Sequence, residues 1–261
     1  MSYIPSVNIE MNKVSDFRYI VTENAKLVAG NIVNSFNAGH HSFSIIGTYG
    51  TGKSSFILAL EDDLTNGNNQ LIRNGVLGAR GGFEFVNIVG DYAPLARLLS
   101  NKLNSAENNP INALNTYYNS LRNENKFLII AVDEFGKILE YAANNNPEKE
   151  LYFLQKLSEF VNVPSRNIIL LTTLHQNFSS YAAKLTEAQR NEWLKIKGRF
   201  KEIVFVEPIE QLLSLAAKKL NKRHKLSKAE ELSLRLLYDL GIHSKIVSGN
   251  LKYLSFASST C

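Results

Sequence analysis

The run Gly47-Thr48-Tyr49-Gly50-Thr51-Gly52-Lys53-Ser54 satisfies the pattern G-x-x-x-x-G-K-[ST] at every fixed position. It also stands where the physics of that pattern needs it, between a short apolar strand and a helix. Ser42-Phe43-Ser44-Ile45-Ile46 alternates as a strand, and Ser54-Ser55-Phe56-Ile57-Leu58-Ala59-Leu60 continues at helical spacing. Glycines that tolerate unusual φ/ψ let successive backbone N–H groups wrap a phosphate chain, and the following helix points its positive dipole end at it. The sequence therefore predicts a nucleoside-triphosphate site over Gly47 to Ser55. In it Lys53 reaches the β and γ phosphates and Ser54 offers its hydroxyl to Mg²⁺.

With 261 residues and 44% apolar content, the chain can bury a large core. No apolar run approaches the roughly 18 residues that span a bilayer, and Met1-Ser2-Tyr3-Ile4-Pro5 lacks the flank and apolar stretch of a signal peptide. No membrane association is expected. Cys261 is the single cysteine, which excludes an internal disulfide and points to a reducing cytoplasm. The five histidines show no ligand spacing tied to an acid or cysteine, which disfavours a metalloenzyme.

The net charge of +5 is carried entirely by residues 209–261, where nine Lys/Arg face four acids. The cluster from Lys218 to Lys228 would either touch a nucleic-acid backbone or form a solvated helix end.

Helices and strands alternate along the chain. A helix over Glu23 to Phe36 with Thr22 as N-cap precedes the loop strand, and Thr65 to Gly82 reads as a surface connection. Phe83 to Val89 is a second strand, Phe127 to Val132 a strand buried on both faces, Asn167 to Thr172 a fourth and Lys201 to Val206 a fifth. Helices are expected from about Pro94 to Leu103, after Asn109-Pro110, after Asn146-Pro147 and behind the Thr186/Gln189 capping box. The pattern implies an α/β domain with a parallel sheet covered on both faces. Beyond Pro208 it becomes wholly helical, which places a boundary between residues 1–208 and 209–261.

Asp133-Glu134 ends the buried strand. Ligands of an open parallel sheet gather outside the carboxyl ends of its strands, so this pair and the phosphate loop open onto one edge. Asp133 would hold Mg²⁺ or its water, and Glu134 would orient the water attacking the γ-phosphate.

A phosphate loop, an Asp-Glu strand end and a later apolar strand closing in Thr172-Thr173 resemble the AAA+ and related STAND class of P-loop ATPases. The resemblance implies a three-layer fold with sheet order 5-1-4-3-2, ATP and Mg²⁺ as ligands, and a homo-oligomer or larger assembly. It implies a sensor at Thr172 or Thr173, although Asn is commoner there. His175 and Gln176 follow at once and would either face the nucleotide or cap a loop. In Gly198-Arg199-Phe200, Arg199 matches the arginine finger that reaches a neighbour's nucleotide; the alternative is a pairing with a surface acid. The adenine pocket falls at Tyr19, Ile20 and Val21. Guanine is disfavoured, since Asn125-Lys126 is followed by Phe127 and Leu128 rather than x-Asp.

The tail resembles the AAA+ lid but has space for little more than two helices and no matching arginine; His243 and Lys245 are poor substitutes. A truncated or naturally shortened member of a longer protein is expected. The phrases Val132 to Lys137, Thr172 to Gln176, Arg190 to Trp193 and Gly198 to Phe200 are similar to large bacterial ATPases, some found in phage-defence gene clusters. Two functions are compatible with these residues: an ATPase, or a nucleotide-gated switch with slow hydrolysis.

Overall fold

Six consecutive apolar residues, Phe127 to Val132, leave no polar face for solvent, so the strand that holds them must be covered on both sides. The computed structural model of the chain describes residues 7–11, 19–73, 75–104, 107, 109–207 and Leu236. In it this strand, β3 (Phe127–Asp133), is buried at every position, as is β4 (Ile168–Leu174). With β1 (Ser42–Ile46), β2 (Phe83–Val89) and β5 (Lys201–Val204) they form a five-stranded sheet in the order β2-β3-β4-β1-β5. Every pairing is parallel, and Val132 stands opposite Thr172, which stands opposite Ser44. This is the order 5-1-4-3-2.

The alternation of side chains sorts the core into two layers. Phe43, Ile45, Phe127, Ile129, Ala131 and Leu171 pack with α1 (Glu23–Asn37) and α2 (Lys53–Asn66). Leu128, Ile130, Val132 and Leu170 pack with α3 (Leu95–Leu103), α4 (Pro110–Asn123), α5 (Phe135–Asn144), α6 (Pro147–Val161) and α7 (Glu187–Lys197). Trp193 of α7 is fully buried in this second layer, where its Nε1–H donates to the carbonyl of Phe178 at 3.0 Å.

Local chemistry sets the element ends. Thr22 caps α1 by accepting from the Ala25 N–H, Asn109 and Asn146 cap the proline-led starts of α4 and α6, and Thr186 and Gln189 complete a reciprocal capping box on α7. Five features depart from expectation. Thr65 and Asn66 belong to α2. The helix α5 starts immediately after β3 without a conventional cap, since Glu134 occupies the N-cap position in the left-handed region, and it carries no sequence signal of the Ser/Thr/Asp/Asn kind. β4 runs two residues beyond the expected end at Thr172, through Thr173 and Leu174, because its threonines find polar partners inside the sheet. A 3₁₀ turn over Phe178–Ala182 links β4 to α7, and β5 stops at Val204.

The chain divides into two compact units, Met1–Val206 and Glu207–Cys261. Of the second unit only Glu207 and Leu236 are described, so the helices expected beyond residue 209 and the basic cluster 218–228 lie outside the described residues. Among the described residues no helix is long and apolar enough to cross a membrane.

His41 stands 1% exposed just before β1. Its Nδ1–H donates to the Ile168 carbonyl at 3.1 Å and its ring lies 4.5 Å from that of Phe36. Burial lowers its pKa below the usual histidine value, the Ile168 carbonyl acts in the opposite direction, and His40 adds a small repulsion. A histidine depressed in the folded state gives stability that is present above its unfolded pKa, about 6.5, and is lost as pH falls through the folded one. Denaturant titrations of the wild type and His41→Gln between pH 8 and 5 should therefore show a steeper acid decline in the wild type; parallel profiles would contradict this assignment.

Candidate functional site

The loop after β1 is shaped by contacts that only glycine permits. The Gly47 N–H donates to the Leu174 carbonyl at 3.0 Å, and a Cβ on Gly47 would stand 2.3 Å from the carbonyl oxygen of Phe205. Gly50 and Gly52 have φ of 76° and 94°, in the region that side chains disfavour. Gly52 is the N-cap of α2 and offers no side-chain cap to the first-turn N–H groups, which leaves that positive helix end for an anion. Thr51 closes the loop by donating its hydroxyl to the Thr48 carbonyl at 2.9 Å.

Lys53 begins α2 and is 5% exposed. Its Nζ donates to the carbonyls of Gly47 at 2.6 Å and Thr48 at 2.8 Å, so the ammonium is held inside the curl of the loop. Burial lowers its pKa, while the carboxylates of Asp133 and Glu134 act to raise it. The lysine of one strand end and the acids of another therefore share one electrostatic environment. Ser54 and Ser55 follow on the first turn of α2, both partly exposed.

The acids are held from two sides. Asp133 is 3% exposed, and its Oδ1 accepts from the Thr173 hydroxyl at 2.5 Å. The same hydroxyl oxygen accepts from the Glu134 N–H at 2.9 Å, so Thr173 ties β4 to both acidic residues. From the β2 side, the Gly90 N–H donates to the Asp133 carbonyl at 2.7 Å. A Cβ on Gly90 would lie 2.4 Å from the Glu134 carbonyl oxygen. Glu134 itself has φ 51° and ψ 36°, an uncommon conformation for a side chain larger than Asn, held by these flanking bonds. Its carboxylate pairs with Lys137 one turn into α5.

Beyond β4, His175 stacks on Tyr49 of the loop, ring centroids 3.4 Å apart at an interplanar angle of 23°. Its Nδ1 lies 3.5 Å from the Lys53 Nζ. The structure thus gathers Gly47 to Ser55, Asp133, Glu134, Thr173 and His175 at the carboxyl edge of the sheet.

Four expected residues lie away from the phosphate loop of their own chain. The Thr172 hydroxyl donates to the Phe43 carbonyl at 3.0 Å and lies 2.9 Å from the Ser44 Oγ, fully buried between β4 and β1. Its position one residue before the strand's polar end makes it a sheet residue, and of the two threonines only Thr173 meets the acids. Arg199 precedes β5, whose Lys201 pairs with Phe43 at the start of β1, so it lies at the sheet edge opposite the loop. There its Nη2 donates to the Glu159 Oε1 at 2.9 Å, while Nη1 is buried with no hydrogen-bond partner. Tyr19 and Val21 line a cavity of about 250 Å³ together with Ala59, Asp62, Asp63 and Gln70, at the C-terminal half of α2 rather than beside the phosphate loop.

Gly90, Lys137 and the bond between Thr173 and Asp133 had no signal in the sequence. Gly90 is one glycine after an alternating strand, and only the register of β2 on β3 reveals what it faces.

No protein-family model matches the chain, and a search of curated proteins finds no match. Solved structures do. The ORC2 protein of Aeropyrum pernix, as ADPNP–ADP complexes and in its ADP form, aligns with a TM-score of 0.55 at 16% and 17% identity over 85% of this chain. The two chains share a fold, the P-loop NTPase arrangement with sheet order 5-1-4-3-2. This chain spans 59% of the length of the ORC2 chain. A Walker-type ATPase of Pyrococcus abyssi aligns at a TM-score of 0.44 and 14% identity, over 80% of this chain and 63% of its own.

The glycine contacts give a direct test of how the acids are held. Gly90→Ala must displace the Asp133-Glu134 backbone and should cost about 1–3 kcal/mol. Gly30→Ala, where a Cβ in α1 meets nothing within 4 Å, should be neutral or stabilise by about 0.5–1 kcal/mol. Urea denaturation of both variants measures the contrast, and equal effects would contradict it.

Proposed function

We propose that residues 1–208 form a Mg²⁺-dependent ATPase module, with 209–261 as a short helical lid. The observation that carries this is Lys53, buried in the loop and coupled to Asp133 and Glu134 at one sheet edge. The residues fit the ligands: an uncapped helix start behind two positive-φ glycines suits phosphate oxygens, and a hydroxyl with a buried carboxylate suits a hard cation. Lys53 exchanges the carbonyls of Gly47 and Thr48 for β and γ phosphate oxygens. Ser54 and Asp133 would hold Mg²⁺, which supplies charge neutralisation on the transferring phosphoryl group. Thr173 fixes the orientation of the Asp133 carboxylate and the start of α5, from which Glu134 orients and polarises the attacking water. Arg199, once released from Glu159, would serve a neighbouring copy in an assembly. Binding of nucleic acid by residues 218–228 rests on charge alone and predicts an affinity that falls steeply with salt.

One observation favours the second reading, a nucleotide-gated switch with slow hydrolysis. The Glu134 carboxylate is paired with Lys137, and it must leave that pair before it can act on water.

ATP binding and turnover, measured over a wide range of protein concentration, distinguish these readings. Lys53→Ala should abolish both. Glu134→Gln should keep binding and lower turnover by about a hundredfold or more. Turnover per subunit that rises with concentration supports a shared site, binding without turnover supports the switch, and binding indifferent to Lys53 contradicts both.

A further inference from the structure

The structure assigns Glu10, in the segment ahead of α1, as a positioning residue for the acids: it clamps the end of β2, and through Gly90 it holds Asp133 and Glu134 in place. Its effect on turnover rests on the ATPase reading proposed above, whereas its hold on the backbone of the acids does not.

β2 lies at one side of the sheet, so alternate residues turn their backbone groups away from β3. Gly90 turns its N–H inward, onto the Asp133 carbonyl at 2.7 Å. Val89, one residue earlier and level with Asp133 in the ladder, turns its N–H to the open side. Glu10 meets it there, where its Oε1 accepts from the Val89 N–H at 2.9 Å. The same oxygen lies 3.1 Å from the Lys102 Nζ in the last turn of α3. One carboxylate therefore grips both ends of the connection that runs from β2 through residues 90–94 to α3. The reach of Glu10 is built into the segment that carries it. Ile9 is 2% exposed and packs in the core layer of α1 and α2, which anchors the chain beside the strand. The Asn8 side chain accepts from the N–H groups of Glu10 at 2.8 Å and Met11 at 3.2 Å, a turn that carries the chain from the buried Ile9 out to the strand edge.

The end of an edge strand is where a ladder opens most readily, because its last residues have a neighbouring strand on one side only. Here that end abuts the acids. Gly90 has no slack, since a Cβ on it would run into the carbonyl oxygens of both Asp133 and Glu134. A displacement of Val89 is thus passed to the Asp133-Glu134 peptide. The left-handed φ of 51° at Glu134 is kept by bonds from two strands, Gly90 on one flank and Thr173 on the other, and Glu10 secures the first of them. The phosphate loop follows β1, three places along the sheet from β2, and is tied there by the Leu174 carbonyl. Loss of the clamp therefore moves the acids and leaves the loop where it is. An ion pair whose two side chains are 35% and 29% exposed adds little to global stability, so the consequence of Glu10 is local.

The test joins amide hydrogen exchange, read residue by residue by NMR, to kcat for ATP and the Kd of a non-hydrolysable ATP analogue with Mg²⁺. It compares the full chain as wild type, Glu10→Ala, Glu10→Gln and Lys102→Met. In Glu10→Ala the N–H groups of Gly90 and Glu134 should exchange about tenfold faster while the amides of β1 stay within about twofold. Its kcat should fall by about tenfold with the Kd of the analogue within about twofold, since the acids move and the phosphate loop does not. Glu10→Gln should recover most of both losses, because its amide oxygen still accepts from the Val89 N–H, and Lys102→Met should fall between the wild type and Glu10→Ala. Unchanged exchange at Gly90 and Glu134 in Glu10→Ala, quickening shared equally by β1, or failure of Glu10→Gln to recover would overturn the hold of Glu10 on the acids. Faster exchange with kcat unchanged would overturn its role in turnover. A wild type that turns over no ATP would overturn the ATPase reading instead, while the exchange rates still decide whether Glu10 holds the acids.

Discussion

Everything at the site depends on β4 lying between β1 and β3. The loop strand and the acid strand are not neighbours, and two strand spacings, about 10 Å, separate their ends. The strand between them must therefore supply the connection, and it does so with three consecutive residues. Thr173 holds Asp133 and the Glu134 N–H, Leu174 accepts from the Gly47 N–H, and His175 meets Tyr49 and Lys53. A change at the end of β4 thus reaches both the phosphate loop and the acids, whereas Thr172 one step earlier serves only the pairing of β4 with β1.

The same edge carries several unusual backbone positions. Gly47 presses on the Phe205 carbonyl, Gly90 on that of Glu134, and Glu134 keeps a left-handed conformation despite its side chain. Close approach of main chains brings hydrogen-bonding groups to fixed positions that mobile side chains would not hold. The price is that a single methyl group at either glycine has nowhere to go. Opposite to this edge, Arg199 pairs with Glu159 and His41 with Ile168, contacts that stabilise the strand starts and take no part in the phosphate site.

The two chemical motifs and all five strands were legible in the sequence because each rests on a strong local constraint. The phosphate loop needs glycines at fixed spacing, and strands buried on both faces need unbroken apolar runs. What escaped was set by non-local contacts. The helix α5 lacks a capping residue because its first turn is anchored by Thr173 and Gly90 from neighbouring strands. The extra length of β4 depends on Ser44 and Asp133, more than a hundred residues and 40 residues away. Thr172 and Thr173 are equivalent as letters and opposite in role, since successive strand residues face opposite sides of the sheet. Tyr19 and Val21 carry a similar lesson: the order of elements places them before the loop strand, but packing sets them against the far half of α2.

The central claim is that Lys53 is held by the loop's own carbonyls in readiness for phosphate, on an edge shared with Asp133 and Glu134. A crystal structure of the chain with Mg²⁺ and a non-hydrolysable triphosphate tests it most directly. The account predicts phosphates against the N–H groups of Gly50 to Ser54, Mg²⁺ beside Ser54 and Asp133, and the Lys53 Nζ moved from the carbonyls of Gly47 and Thr48 onto phosphate oxygens. Nucleotide bound away from the loop, with Lys53 still on those carbonyls, would contradict it.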